Sequence, residues 1–272
     1  MISRRSVLAL AAGSAILRGA GKRIPLGLEM YSVRGTYSKD PESNIREAAK
    51  MGFVNIEIYG SYIDSPSEKI KGVRSLLDEL KITCLSTHND AKAFADDGMQ
   101  KAIDQNSILG ARYIVMASGG AKDMDGWKRV SDTLTKASER FASANLRAGY
   151  HNHDKEFRPL DGTRPEEIIA ANTPKNVMLQ LDVGHCIEGG GDPVAFMEAH
   201  PGRFQSLHLK EWSPEKKFEA VMGEGLVPWR KVFDAAEKTG GVEYYLIEWE
   251  GTASPAFESV GKCLAEYKKI HG

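Results

Sequence analysis

Two hydrophobic patterns alternate along the chain from residue 24 onward. One consists of short apolar or β-branched runs, which are typical of buried strands, and the other of longer amphipathic stretches with helical period. Eight strand-like runs lie at 26–31, 54–59, 82–87, 112–117, 146–151, 177–182, 205–210 and 244–249. The clearest helical stretches are Pro41–Met51, Ile70–Leu80, Trp127–Asn145, Pro193–Ala199, Trp229–Thr239 and Ser254–Ile270.

This strict alternation predicts parallel strands joined by right-handed helical crossovers. Eight repeats favour a closed barrel over an open doubly wound sheet, and the glycine-rich turn of a dinucleotide-binding fold is missing after the first strand, which runs into Ser32-Val33-Arg34. A length of 272 residues suits one barrel of this kind. We therefore predict an α/β protein, a (β/α)8 TIM barrel that forms a single domain over residues 23–272.

The first 22 residues are set apart from this pattern. Arg4 and Arg5 precede an apolar stretch from Val7 to Leu17, which is the layout of a signal peptide and is too short for a comfortable permanent span. The adjacent arginines resemble a twin-arginine export signal. We predict a signal segment over residues 1–22 and a periplasmic or secreted protein. An amphipathic tail and a retained anchor are the alternatives, because no clean A-x-A site precedes Gly21.

Composition narrows the class of partner. The net charge is −1, and no basic run occurs beyond the extreme N-terminus, so the basic stripe that a nucleic-acid groove needs is missing. We expect no nucleic-acid partner and no stable membrane span. The three cysteines, Cys84, Cys186 and Cys263, are far apart and suit small buried hydrophobes rather than a disulfide framework.

Charged and imidazole side chains occur at strand ends, where a barrel interior is usually apolar. Period-two alternation places Ser206, His208 and Lys210 on one face of strand 7, opposite two leucines that face the helices. The same alternation points Glu248 and Glu250 inward from strand 8, and Asp182 inward from strand 6. The active sites of such barrels lie at these carboxyl ends.

Burial of even one unpaired charge costs several kcal/mol, so this cluster requires compensation. A divalent metal ion satisfies two carboxylates and an imidazole together, which makes Asp182, His208 and Glu248 candidate ligands. Oxygen and nitrogen donors without thiolate suit Mn²⁺, Mg²⁺, Co²⁺ or Zn²⁺, and the sequence does not choose among them.

A series of short motifs covers nearly the whole predicted barrel and resembles the sugar phosphate isomerase/epimerase family, the xylose-isomerase-like barrels. The resemblance implies a divalent metal held by the carboxylate of strand 8, the Asp of a D-x-G-H motif and the His of an H-x-K motif. These positions are Glu248, Asp182 and His208 here. The motifs are GLEMYSVR at 27–34, GFVNIEIYG at 52–60, YHNHDKEF at 150–157, LDVGH at 181–185, LHLKEW at 207–212, GEGLVPW at 223–229 and LIEWEG at 246–251.

The fourth ligand is where this sequence departs from the family pattern. Many relatives have a glutamate at the end of strand 5, and His151 occupies that position here. Glu156 follows in the same motif and would restore the usual charge balance by folding back from the loop. We take Glu156 as the predicted fourth ligand and His151 as its alternative, with His151 and His153 then facing the substrate as acid and base.

The resemblance also implies a mechanism, in which two groups on opposite faces of a hydroxy-ketone move a proton through an enediolate. Glu248 is one candidate base, and the opposite face is assigned to Glu156 or to His151 or His153. Lys210 would bind a substrate hydroxyl or stabilise the enediolate, unless it forms a salt bridge to Glu250 or Asp154.

The expected substrate is a small carbohydrate, and a homo-oligomer is left open. An exported enzyme meets free sugars, keto-sugars or glycosides more readily than sugar phosphates, and no basic cluster marks a phosphate site. The predicted substrate-binding residues are Arg34, His88, His185 and Glu250. A stacking surface for a sugar ring is expected from Trp212, Trp229 or Trp249.

The predicted function is thus that of a metal-dependent sugar isomerase or epimerase. A lyase or hydratase acting on an oxidised 3-keto sugar or glycoside is the first alternative, because the same metal and base would serve an elimination. A non-catalytic sugar-binding barrel is the lower alternative. An endonuclease acting on abasic DNA is disfavoured by the near-neutral charge.

Overall fold

The computed structural model describes residues 24–252 and 255–272. Within them, eight parallel strands pair in sequence order and β8 pairs with β1, so the sheet closes into a barrel. The predicted TIM barrel is confirmed. The predicted signal segment at residues 1–22 lies outside the described residues and stays a prediction.

The strands and helices follow each other in near-regular alternation. The strands are β1 (Leu26–Glu29), β2 (Asn55–Tyr59), β3 (Thr83–Asn89), β4 (Tyr113–Met116), β5 (Arg147–His151), β6 (Met178–Asp182), β7 (Ser206–Leu209) and β8 (Tyr244–Ile247). The α-helices are α1 (Arg34–Tyr37), α2 (Pro41–Met51), α3 (Ser67–Leu80), α4 (Met99–Leu109), α5 (Met124–Ala142), α6 (Asp154–Phe157), α7 (Pro165–Asn172), α8 (Val183–Glu188), α9 (Pro193–Ala199), α10 (Trp229–Ala235) and α11 (Ala256–Ile270). Short 3₁₀ helices lie at Met30–Val33, Ser61–Asp64 and Ala91–Phe94, and a π-helical turn lies at Ala236–Gly240.

All eight predicted strands are present, with ends that differ by two residues or fewer. The first residues of the helices differ more from the predicted ones, because N-cap hydrogen bonds determine where a helix begins. Helix α5 begins at Met124, earlier than its hydrophobic period predicts, since the Asp123 side chain accepts a hydrogen bond from Gly126 N at 2.7 Å. The short helices α6 and α8 follow directly on β5 and β6, and they shape the site described below.

The barrel interior is apolar at its floor and polar at its mouth. The floor is a separate hydrophobic cluster on three strands, β4, β6 and β8, formed by Tyr113, Val115, Met178, Tyr244 and Leu246. Toward the carboxyl ends the inward positions become His208 on β7 and Glu248 just after β8, both of them buried. The apolar floor therefore supports a layer of charged groups above it.

Two further features bear on the predictions from sequence. All three cysteines are buried and free, as expected for small hydrophobes. Over residues 24–252 and 255–272, no helix combines the length and apolar character needed to cross a membrane.

Close strand packing at the barrel floor leads to a stability prediction. A Cβ at Gly27 would lie 2.7 Å from Asn55 O and 2.8 Å from Leu246 Cδ2. We expect Gly27→Ala to lower the free energy of unfolding by about 1–3 kcal/mol, because the extra methyl overpacks the floor. Chemical denaturation of the purified protein measures this change.

The matched control is Gly72→Ala in α3, where a Cβ would meet no atom within 4 Å. This change should raise the free energy of unfolding by about 0.5–1 kcal/mol, since alanine favours the helix. An equal effect of the two substitutions would contradict the tight packing of β1 against its neighbours.

Candidate active site

Four buried groups meet at the carboxyl ends of four consecutive strands. His151 ends β5, Asp182 ends β6, His208 lies in β7, and Glu248 follows β8. Each offers one ligand atom, and these four atoms all lie within 4.8 Å of one another. We call these residues the four-ligand group. The structure thus brings the three candidate ligands predicted from sequence together with His151, the alternative candidate for the fourth position.

His208 bridges two carboxylates through its two ring nitrogens. Nδ1 lies 2.6 Å from Glu248 Oε2, and Nε2 lies 2.8 Å from Glu57 Oε1. Burial alone would lower the pKa of His208, but Glu57 and Glu248 raise it to about 10. A carboxylate that holds one imidazole N–H leaves the other nitrogen to act as a ligand. Glu57 therefore directs Nδ1 toward Glu248 and the rest of the group.

Lys210 supplies a second positive charge at the barrel mouth. Its Nζ lies 2.9 Å from Asp182 Oδ2, 3.1 Å from Glu248 Oε2 and 3.0 Å from Glu250 Oε2. Burial alone would lower the pKa of Lys210, but the three carboxylates raise it above its usual value. The salt bridge to Glu250 considered from sequence is present, whereas the partner on the other side is Asp182 rather than Asp154.

His151 has the properties of a neutral ligand. Its side chain is 1% exposed, and its Nδ1 has no hydrogen-bond partner among the described residues. Nε2 lies 3.9 Å from Asp182 Oδ2. Burial, together with the neighbouring His88 and His208, lowers the pKa of His151 well below its usual value. A buried, uncharged imidazole whose Nε2 lies beside an aspartate fits a divalent cation bound by mixed nitrogen and oxygen donors.

Glu156, the predicted fourth ligand, lies outside the four-ligand group. One carboxylate oxygen accepts a hydrogen bond from the Tyr150 hydroxyl at 2.7 Å, and the other accepts one from His153 N at 2.9 Å. The cause is helix α6, whose first turn places Glu156 where its side chain reaches back to the backbone of His153. Glu156 shapes the turn after β5, and the geometry favours His151 as the fourth ligand.

Two further residues of the H-N-H motif have distinct places. Asn152 joins β5 to β6, because its Oδ1 accepts a hydrogen bond from Asp182 N at 2.9 Å. His153 lines the cavity above the group, with its ring centroid 5.1 Å from that of His151. Burial, followed by the charges of His185 and Lys210, lowers the pKa of His153 to about 3. The low pKa keeps His153 uncharged near neutral pH.

The four residues predicted to bind substrate surround the same mouth. His88 and Glu250 line the cavity. His185 lies in α8, with Nε2 3.5 Å from Glu250 Oε2, and the charges of Asp182, Glu188 and Glu250 raise its pKa to about 9 against the opposing effects of burial and Lys210. The Arg34 guanidinium is already engaged within the protein, because its Nη2 donates a hydrogen bond to Glu250 O at 3.0 Å.

Two buried carboxylates, Glu29 on β1 and Glu57 on β2, have no role predicted from the sequence. Glu57 accepts hydrogen bonds from His208 and from Gln180 Nε2, the latter at 2.8 Å, and it also contacts Ser86 Oγ. Although burial alone would raise the pKa of Glu57, His208 lowers it below its usual range. Glu29, its register partner on β1, has a pKa raised by burial and by Glu57. The sequence feature that could have identified both residues is a glutamate at a strand position whose side chain points into the barrel.

An open cavity of about 390 Å³ leads to this group. Its lining includes two members of the four-ligand group, His151 and Glu248, and one wall is aromatic, with the Tyr31 and Tyr59 rings 5.1 Å apart. No lysine or arginine is among its lining residues in the described part of the chain. They are Tyr31, Tyr59, Gly60, His88, Asn89, Asp90, Ala91, Ala117, Ser118, His151, His153, Glu248 and Glu250.

The fold and the site define a TIM barrel with a His, Asp and Glu cluster at its carboxyl-terminal mouth. A family model described as a xylose isomerase-like TIM barrel matches residues 45–266. The chain belongs to that family. The resemblance found in the sequence motifs is confirmed.

Among curated relatives, the chain is 23% identical to an inosose dehydratase of Geobacillus thermodenitrificans strain NG80-2, over 77% of this chain and 82% of the relative. It is also 23% identical to an L-ribulose-5-phosphate 3-epimerase of Escherichia coli strain SMS-3-5, over 89% and 93%.

Among solved structures, a sugar phosphate isomerase/epimerase of Parabacteroides distasonis ATCC 8503 superposes with a TM-score of 0.77 at 27% identity, covering 93% of this chain and 96% of that one. A D-psicose 3-epimerase of Clostridium cellulolyticum H10, at 15% identity and a TM-score of 0.72 over 91% and 99%, shares the fold. The relatives thus include both epimerases and a dehydratase.

The choice between His151 and Glu156 yields a direct prediction about metal binding. We expect His151→Gln to weaken Mn²⁺ binding by about tenfold or more, because it removes an imidazole nitrogen from the group. Glu156→Gln should leave the affinity near the wild-type value, since its carboxylate is engaged with Tyr150 and His153 N. Isothermal titration of the purified variants measures both affinities. The reverse order would restore Glu156 as the ligand.

Proposed function

We propose that this chain is a divalent-metal-dependent isomerase or epimerase that acts on an unphosphorylated sugar or keto-sugar. The reaction is transfer of a proton at the carbon next to a carbonyl, through an enediolate. The observation that carries the proposal is the convergence of His151, Asp182, His208 and Glu248 within 4.8 Å at the base of an open cavity.

The donor set fits a divalent ion. Two carboxylates and two imidazoles, all buried, would hold Mn²⁺, Mg²⁺, Co²⁺ or Zn²⁺, with Glu57 fixing the tautomer of His208 from behind. When bound, such an ion supplies a Lewis acid that favours negative charge on a nearby carbonyl oxygen.

Two side chains are placed to move the proton. Glu248 faces the cavity from the end of β8, and Lys210 and His208 lower its pKa to about 2 against the effect of burial. It therefore enters the reaction as a carboxylate that accepts a proton. His153 lines the cavity from the end of β5, which places its imidazole to exchange a proton with a substrate bound there.

Lys210 is assigned the role of orienting group. Its ammonium contacts Asp182, Glu248 and Glu250, so it holds these three carboxylates in fixed positions and is within reach of an oxygen that develops charge beside them. His88 and Glu250, which both line the cavity, are assigned to substrate hydroxyls.

Two observations support a substrate without phosphate. The cavity lining includes no lysine or arginine in the described residues, and the nearby cations Lys210 and Arg34 are already engaged. The proposed export signal at residues 1–22 would also take the enzyme to a compartment where free sugars are the more available substrates. The proposed substrate therefore differs from the phosphorylated sugar in the name of the relative L-ribulose-5-phosphate 3-epimerase.

A second candidate is a lyase or hydratase acting on an oxidised keto-sugar or glycoside. The observation that favours it is the replacement of a strand-5 glutamate by His151, followed by the neutral His153, since a histidine beside an enolate serves an elimination as well as an epimerisation. An inosose dehydratase among the relatives supports the same chemistry.

The test is solvent exchange in D₂O with a panel of unphosphorylated ketoses and 3-keto-glucosides, followed by NMR. We expect the Mn²⁺-loaded protein to exchange the hydrogen next to the carbonyl. His153→Gln should slow that exchange by about 10²-fold while keeping its metal, because it removes a base that is not a ligand.

The products separate the candidates. An epimer or isomer supports the main proposal, whereas an unsaturated product supports the lyase. If the Mn²⁺-loaded protein exchanges none of these sugars, and the chelated protein binds them equally well, the chain is a non-catalytic sugar-binding barrel.

A further inference from the structure

The connection between β7 and α10, residues 210–228, contains no helix or strand beyond one isolated bridge, Ser213 to Lys217. We call it the β7 loop. Long connections without regular structure in a compact domain are uncommon and are often functional. This one starts at Lys210, inside the proposed active site, so its conformation bears directly on the barrel mouth.

Glu211 fixes both ends of the β7 loop. Its side chain is 3% exposed, and each of its oxygens accepts two hydrogen bonds. Oε1 accepts from Trp212 N at 3.0 Å and from Val227 N at 3.1 Å. Oε2 accepts from Gly223 N at 2.8 Å and from Trp229 Nε1 at 2.7 Å. Four N–H groups around one buried carboxylate form charge-assisted bonds, which are stronger than neutral ones.

The loop is closed so tightly around Glu211 that one position requires glycine. A Cβ at Gly225 would lie 2.2 Å from Trp212 O and 2.5 Å from Glu211 Oε1. Leu226 N also donates to Trp212 O at 2.9 Å. The two ends of the loop are thereby held together, and the middle of the loop is carried over the barrel mouth.

The middle of the loop presents Phe218 to the site. Its ring centroid lies 4.5 Å from that of His185 and 5.3 Å from Lys210 Nζ. The tryptophans expected from sequence to provide a stacking surface do not have this position. Trp229 and Trp249 are buried in the core, and Trp212 is half-buried against Lys217.

A second tie anchors the residue next to Phe218. The Glu219 carboxylate accepts hydrogen bonds from Thr252 N at 2.6 Å and Thr252 Oγ1 at 3.2 Å, and its carbonyl accepts one from Trp249 Nε1 at 3.3 Å. These partners flank Glu250, which belongs to the site. The loop is therefore joined to the connection after β8, and Phe218 is held from two sides.

We propose that Phe218 is a specificity-determining residue, an apolar wall over His185 and Lys210, and that Glu211 is the positioning residue that holds this wall in place. The inference rests on the proposed function for its substrate. An aromatic face beside polar groups suits the C–H face of an uncharged sugar ring.

The first readout needs no substrate. The full-length, Mn²⁺-loaded protein is treated with diethyl pyrocarbonate, and carbethoxylation of His185 is followed by mass spectrometry. We expect Phe218→Ala and Glu211→Gln to raise the rate several-fold, because His185 loses its cover. Phe218→Leu should remain close to wild type, and Glu224→Gln, which changes an exposed carboxylate of the same loop, is the matched control.

The second readout is the solvent exchange described above, with the ketose that the wild type exchanges fastest. Phe218→Ala and Glu211→Gln should raise KM about tenfold with little change in kcat, as expected for lost apolar contact rather than lost chemistry. Phe218→Leu should recover most of the affinity, and Mn²⁺ affinity should be unchanged in every variant.

Unchanged His185 reactivity in Phe218→Ala would overturn the inference, as would a fall in kcat with constant KM. If Glu211→Gln does not fold, Phe218→Ala alone decides between these results. If the wild type exchanges no sugar, the proposed function fails, and the carbethoxylation rates still decide whether Phe218 covers the site.

Discussion

The ammonium group of Lys210 lies among three carboxylates at the barrel mouth, and His208 joins Glu57 to Glu248 through the same Glu248 oxygen that Lys210 contacts. All of these groups are buried except Glu250, whose side chain is 21% exposed. Four acidic side chains cannot share so small a volume without positive charge, because burial of each isolated carboxylate costs several kcal/mol. The rest of the site follows from this constraint, since every neighbouring group either compensates this charge or is oriented by it.

The charge balance also connects the fold to the proposed chemistry. Closure of the barrel brings Glu57 from β2 against His208 from β7, which fixes the tautomer of the imidazole. The group of His151, Asp182, His208 and Glu248 is then a set of donors held by the strands, not by flexible loops. A cation bound there would add positive charge beside Asp182 and Glu248, and His153 adjoins the group, with its ring centroid 5.1 Å from that of His151.

The fold and part of the site could be predicted from the sequence. Period-two alternation identified the strands and the inward side of β7 and β8, because each position depends only on its own strand. Glu156 could not be placed this way, since its direction depends on the short helix α6 and on Tyr150. The role of Glu57 requires the closed barrel, because its partners Gln180 and His208 are distant in sequence. Phe218 reaches the site only because the β7 loop folds over it. The tryptophans predicted to form a stacking surface, Trp212, Trp229 and Trp249, pack elsewhere.

The proposed function depends on a divalent-metal site at the end of the barrel, and anomalous scattering from crystals soaked with Mn²⁺, Co²⁺ or Zn²⁺ tests for it most directly. We predict one strong peak bounded by His151, Asp182, His208 and Glu248, with ligand distances of about 2.0–2.2 Å for Zn²⁺. We also predict that Glu156 remains bound to Tyr150. A peak at another place in the molecule, or none in crystals soaked at saturating metal, would contradict the proposed metal site.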